Sequence, residues 1–125
     1  MRKNWIKEGQ LVLVHKSIEE FEYPEKVHFI SAIESLSYCD PAKISKIFLK
    51  AKNALLFGGV LVCNLFPYSG IPEADNILRQ VFGGWLTTKN VVEAVMRSVD
   101  FPSCSVVEGL SPLGIAKQFH VIAQA

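Results

Sequence analysis

The sequence predicts an α/β domain, a mostly parallel, doubly wound sheet that closes in an antiparallel hairpin. Three observations carry this. Short continuous apolar runs such as "LVLVH" (Leu11–His15) and "VLVCNLF" (Val60–Phe66) have the character of strands covered on both faces. Between the later runs lie stretches whose apolar residues recur every three or four positions, the helical period. The last two strand-like runs are joined by only a short, turn-rich link, which suits a hairpin.

Taken in order, residues 2–8 read as the tail of a helix stopped by Gly9. Leu11–His15 is a strand. "KSIEEFEYPEK" is a polar connection with room for one helical turn. Val27–Glu34 is a second strand. Asp40 is a good N-cap with Pro41 at the first helical position, and the helix that follows aligns residues 44, 47, 48, 51 and 55. Gly58 and Gly59 are expected to end it, and Val60–Phe66 is a third strand. Residues 74–82 look helical and stop at Gly83–Gly84. Thr87 or Thr88 caps a helix to about Val99, with Val91, Val92, Val95, Met96 and Val99 as its stripe. Ser103–Gly109 and Ile115–Ala125, linked through "LSPLG", make the closing hairpin.

Composition bounds the reading. The 125 residues fit one domain, residues 1–125; half are apolar, enough for a core. A net charge of +1 argues against a polyanion surface, and Lys43, Lys46 and Lys50 lie on one helix face that reads as solvated. No apolar run reaches the length of a membrane span, and the polar start does not read as a signal peptide, so the cytoplasm is the expected location. Cys39, Cys63 and Cys104 are odd in number and lack paired spacing, which suggests free thiols and no metal site. His15, His28 and His120 lie far apart in strand-like segments and read as structural. No nucleophile-elbow motif is present.

The ordered set of pieces resembles the C-terminal half or more of a class I, Rossmann-like, S-adenosylmethionine-dependent methyltransferase. "HFISAIESLSYCDPAKISKIFLKAKNALLFGGVLV" resembles that family's fourth strand, loop, helix and fifth strand. "GGWLTTKNVVEAVMRSVDF" resembles its late helix, and the last two strands resemble its closing hairpin. The resemblance departs from the pattern at Leu56–Phe57, where Lys-Pro is common, and at Asp100, where glycine is common. It also implies that the glycine-rich cofactor loop and the first two strands are not in this sequence. The chain is thus expected to be a fragment or a partner-dependent form. Leu11–His15 is expected to pair directly with Val27–Glu34, because the alternative is an open parallel edge.

The resemblance, together with position at carboxyl strand ends, nominates site residues. Ser17 and Ile18 occupy the adenine-holding loop. Ile33, Glu34 and Ser35 border the methionine part of S-adenosylmethionine. Glu34 and Tyr38 are the catalytic candidates, Glu34 as a carboxylate that orients or takes a proton, Tyr38 as an aromatic face for a sulfonium cation. Tyr38, Asn64, Phe66, Tyr68 and Trp85 are candidates for an acceptor pocket. The implied function is methyl transfer to a small-molecule acceptor, with no nucleic acid or membrane partner and with a partner chain or homodimer covering the open sheet edge. The other readings are a non-catalytic binding subunit, and an α/β enzyme that binds a nucleotide by different means, which the closing hairpin disfavours.

Overall fold

In the computed structural model, which describes residues 7, 9, 11–33, 35–110 and 117–125, the domain is an α/β fold with five strands and three α-helices among the described residues. Strand β1 spans Val27–Ala32. Two 3-10 turns, Leu36–Tyr38 and Pro41–Lys43, lead into α1, Ile44–Ala54. Strand β2 spans Leu55–Pro67, α2 Pro72–Phe82, β3 Leu86–Thr87 and α3 Lys89–Ser98; β4, Ser103–Leu110, and β5, Lys117–Gln124, follow. The helix tail expected over 2–8 lies outside the described residues apart from Lys7. So does most of the "LSPLG" link.

Local chemistry explains most boundaries. The Asp40 carboxylate accepts from the Ala42 N–H at 3.0 Å, which opens the turn before α1. Thr88 caps α3, its Oγ1 accepting from the Val91 N–H at 3.3 Å. Gly83 ends α2 with φ +68°, the left-handed conformation that costs glycine least. The polar connection holds a single turn, in which the Glu20 and Phe21 N–H groups donate to the Ser17 carbonyl.

Two sequence expectations fail here. The double glycine does not end α1. The helix stops at Ala54 because Leu55 turns extended (φ −77°, ψ 136°), and its side chain enters the core opposite Val27. Gly58 and Gly59 instead sit inside β2. From Val27 to Phe29 on β1, the partner positions advance from Leu55 to Val60, so β2 bulges outward. Gly58 takes φ +78° in that bulge, and a Cβ on Gly59 would stand 2.8 Å from the Leu56 carbonyl oxygen and 3.0 Å from that of His28. Nor is Leu11–His15 a strand paired with β1. It joins no ladder, and its four apolar side chains are 42% to 76% exposed. A strand needs a partner edge, and this run does not reach the one β1 offers.

The sheet is built around β2, in the order β1-β2-β5-β4, with β3 paired to β2 off that path. β1 and β3 run parallel to β2; β5 and β4 form the antiparallel hairpin, with Val60 opposite Gln124 and Leu65 opposite Phe119. One sheet face carries Ala32, Leu61, Cys63, Leu65, Val106, Val121 and Ala123, all buried. Against it pack Ile44, Ile47, Phe48 and Ala51 of α1, and Val92 and Met96 of α3. The stripe expected on α3 is narrower than the sequence suggested, since Val91 is exposed.

Met96 is fully buried, so Met96→Ala should cost roughly 2–5 kcal/mol in denaturant unfolding. Gly59→Ala should destabilise more than an ordinary glycine replacement, because two backbone carbonyls, which cannot rotate away, meet the new methyl group. Burial pushes the Cys63 thiol up to about 12. An aromatic disulfide reagent at pH 8 should therefore reach Cys63 only after denaturant is added.

Candidate functional site

The segment leaving the carboxyl end of β1 is held by a 3-10 turn. The Tyr38 N–H donates to the Ser35 carbonyl at 3.2 Å and the Cys39 N–H to the Leu36 carbonyl at 3.1 Å. Leu36 is buried in the core, which fixes the turn. Ile33 is exposed just beyond the strand. Glu34 lies outside the described residues.

The end of β2 is tied to this turn. The Phe66 N–H donates to the hydroxyl of the buried Ser37 at 3.2 Å. Tyr38 and Phe66 meet edge to face, with ring centroids 6.0 Å apart and planes at 89°, a favoured aromatic geometry. Trp85 closes the cluster. Its indole N–H donates to the Leu36 carbonyl at 2.9 Å, and its backbone N–H to the Ser37 carbonyl at 2.9 Å. Gly84 lets the Trp85 segment approach, since a Cβ there would stand 3.2 Å from the Phe66 ring. Three of the sequence-nominated residues, Tyr38, Phe66 and Trp85, are thus gathered around one turn at the carboxyl ends of β1 and β2, and Tyr38 keeps 51% of its surface open.

Other nominated residues fall elsewhere. Asn64 is buried and donates to the Gln118 side-chain oxygen at 2.8 Å, a cross-strand amide pair rather than an open pocket wall. Tyr68 is half exposed. The Arg79 guanidinium of α2 lies 5.2 Å from its ring centroid and also donates to its hydroxyl. The same loop is anchored by Asp75, which accepts from the Ser69 N–H at 2.9 Å. The Ser69 hydroxyl, then the Ser69 N–H, then Arg79 hold the Asp75 carboxyl below its ordinary range.

Ser17 and Ile18 lie on the flank of α1. The Ser17 hydroxyl accepts from the Glu20 N–H at 3.3 Å, and Ile18 packs against the core. Their turn is clamped by Lys43 to Glu19 at 3.1 Å, and by Lys50, which donates to the Glu19 carbonyl at 3.0 Å and to the Glu22 carboxylate at 2.7 Å. The Lys50 hydrogen bond draws the Glu22 carboxyl downward. A cavity of about 360 Å³ is lined there by Glu22, Tyr23, Lys26, Lys50 and Asn53. It lies at the amino end of β1, whereas open α/β sheets take ligands at the carboxyl ends, so it is not assigned to the site. Cys39 does not read as a nucleophile, since burial first and Glu19 second push its thiol up.

Sequence reading passed over Ser37 and Arg79. Ser37 is one short polar residue in "SLSY", and nothing in that string announces a buried hydroxyl that joins two strand ends. Arg79 has the helical spacing of a solvated residue, and only the fold of the loop brings Tyr68 beneath it.

Ser37→Ala should cost about 1–3 kcal/mol by leaving the Phe66 N–H without its acceptor. It should also loosen Trp85, which is measurable as a shifted tryptophan emission. Asp75 supplies the pH dependence. A depressed carboxyl contributes stability that is present above the unfolded value of about 3.9 and is lost as pH falls through the lower folded value. The stability gap between the native chain and Asp75→Asn should therefore hold steady above about pH 5 and close in more acid solution, as checked by urea titrations across pH.

Comparison with known proteins bears on the fold. No family model matches the sequence, and no curated protein matches it significantly. Solved structures do match. One is a SAM-dependent methyltransferase from Archaeoglobus fulgidus, with TM-score 0.71 and 9% identity over 99% of this chain and 73% of that one. Another, from Methanosarcina mazei, gives 0.67 and 15%, over 87% and 64%. The N-methyltransferase NodS of Bradyrhizobium japonicum, solved with S-adenosyl-L-homocysteine, gives 0.60 and 16%, over 89% and 52%. The chain spans only 36% of some other matched chains. Among the described residues no helix is long and apolar enough to cross a membrane. The domain has the fold of part of a Rossmann-like, S-adenosylmethionine-dependent methyltransferase.

Proposed function

We propose that this chain forms part of an S-adenosylmethionine-dependent methyltransferase acting on a small-molecule acceptor, with the cofactor at the carboxyl ends of β1 and β2. The observation that carries this reading is the convergence of Tyr38, Phe66 and Trp85 on one turn there, within a fold shared with such enzymes. The residues present fit part of the cofactor. The open face of Tyr38 suits a sulfonium cation, and Ile33 and Ser35 border the same strand end. The group supplies an electrophilic methyl carbon when bound. The chain's own part would be orientation: Ser37 ties the Phe66 strand end to the turn that carries Tyr38, Phe66 meets the Tyr38 ring edge to face, and Trp85 pins the turn, a placement that would help to align donor and acceptor. Glu34 directly follows Ile33 in the sequence and is the carboxylate proposed to orient the substrate or take a proton. Tyr68, held by Arg79, borders the acceptor side.

A second reading is a non-catalytic subunit that binds a methyltransferase partner. The observation that favours it is the exposed apolar run Leu11–Val14, together with an outer β1 edge that has no partner strand among the described residues.

Calorimetry on the protein purified from its source separates the two. The enzyme reading expects S-adenosylmethionine and S-adenosylhomocysteine both to bind. Tyr38→Ala should weaken the cationic ligand about 2- to 30-fold more than the neutral one, and Glu34→Ala with Tyr38→Ala should weaken it further. Equal losses for the two ligands would remove Tyr38 from the sulfonium site. No binding by the native protein would favour the non-catalytic subunit.

A further inference from the structure

We propose that Arg79 recognises a carboxylate on the acceptor, which is a flat monocarboxylate. Its carboxylate forks onto the Arg79 guanidinium, and its unsaturated body lies along Tyr68 and Phe66 with the methyl-accepting end toward Tyr38. The assignment of that end rests on the methyltransferase reading; the carboxylate site does not.

The loop after β2 holds one cation in one place. The Tyr68 N–H donates to the Thr87 carbonyl at 3.1 Å, which carries the β2–β3 pairing one residue past Pro67. Asp75 accepts from the Ser69 N–H at 2.9 Å, so the start of α2 is tied to the same loop. Arg79 follows one helical turn later. Its guanidinium lies 5.2 Å from the Tyr68 ring centroid and donates to the Tyr68 hydroxyl. A guanidinium is a planar fork of several N–H donors, and the hydroxyl occupies only one side of it. Arg79 is exposed, and among the described residues it forms no ion pair. An arginine ordered in advance by a ring and a hydroxyl loses less freedom when a ligand arrives. The partner that matches its remaining edge is a carboxylate, through two parallel N–H to oxygen bonds.

The neighbours of Arg79 describe the rest of the ligand. Pro67 is buried, whereas Phe66 on one side of it is half-buried and Tyr68 on the other is exposed. The two rings therefore share one side of an extended segment, about 7 Å apart along it at roughly 3.3 Å per residue. Phe66 in turn meets Tyr38 edge to face. Tyr38, Phe66 and Tyr68 thus make an aromatic row that ends at Arg79, and aromatic faces suit a flat unsaturated body. Charge sets the class of anion. Asp75, one turn before Arg79 on α2, carries the opposite charge and offsets part of its field. The site balances one negative charge better than two, which selects a carboxylate over a phosphate monoester.

The test titrates isotope-labelled protein with benzoate, benzamide and phenyl phosphate at low ionic strength, where an exposed charge is least screened. The readouts are the dissociation constants and the Arg79 Nε–H resonance. The proposal expects benzoate to bind about tenfold or more tighter than benzamide and to shift that resonance. Arg79→Gln should bring benzoate to the level of benzamide. Arg79→Lys keeps the charge without the fork and should recover only part of the preference. Arg97→Gln, at an exposed position on α3, is the control and should change nothing. An Arg79 that only anchors the loop would, when replaced, weaken both ring probes alike. That result, equal binding of benzoate and benzamide, a preference for phenyl phosphate, or no binding of any probe would overturn the carboxylate site. S-adenosylhomocysteine binding is measured separately by calorimetry. Cofactor binding without a benzoate preference would sink the carboxylate acceptor and leave the methyltransferase reading standing. A benzoate preference without cofactor binding would leave the Arg79 site standing and sink that reading.

Discussion

The pairing of β2 on both of its edges is the constraint on which the rest depends. Among the described residues, β2 is the only strand that joins the parallel and antiparallel parts of the sheet. Its inner residues Leu61, Cys63 and Leu65 form the floor on which α1 and α3 pack. Its first residue, Leu55, fixes where α1 must end, and its last residues carry Phe66 to the site. A change that shifted β2 by one residue would exchange Leu61, Cys63 and Leu65 for Val60, Val62 and Asn64 and reverse the two faces at once. The bulge at Gly58–Gly59 protects against that slip. It ties β2 to the chain end, where the Gly58 N–H donates to the Ala125 carbonyl and the Ala125 N–H donates to the Gly59 carbonyl, each at 2.9 Å.

The site follows from the same strand. Phe66 leaves β2 beside the turn that leaves β1, and Ser37 joins them through one buried hydroxyl. Trp85 enters from the segment between α2 and α3, which Gly83 and Gly84 allow to turn back. The aromatic cluster is therefore held by hydrogen bonds from three segments of the chain. Among the described residues the outer edge of β1 has no partner strand.

Much of this was legible in the sequence. The Asp40-Pro41 cap, the α1 stripe, the Gly83 stop, the Thr88 cap and the closing hairpin all follow from local chemistry and lie where the structure has them. The failures have physical causes. Gly58–Gly59 looks the same as a helix stop or a strand bulge, and only the partner strand decides between them. Leu11–His15 has a strand's composition but no neighbour, and β propensity expresses packing rather than backbone preference. Tyr38 and Phe66 were nominated from their position at strand ends and Trp85 from its place between Gly84 and Leu86, and the structure brings the three together. Ser37 and the Tyr68–Arg79 contact were not, because they are tertiary pairings between residues that look ordinary in isolation.

Native-state hydrogen exchange on the chain alone tests the central claim, a sheet organised by β2 whose outer β1 edge has no partner among the described residues. The account predicts that the amides of Leu61–Leu65 exchange only through global unfolding, while those of Leu11–His15 exchange at nearly unprotected rates. Protection of Leu11–His15 equal to that of Leu61–Leu65 would mean that this run is paired within the sheet, and would contradict the open edge on which the account rests.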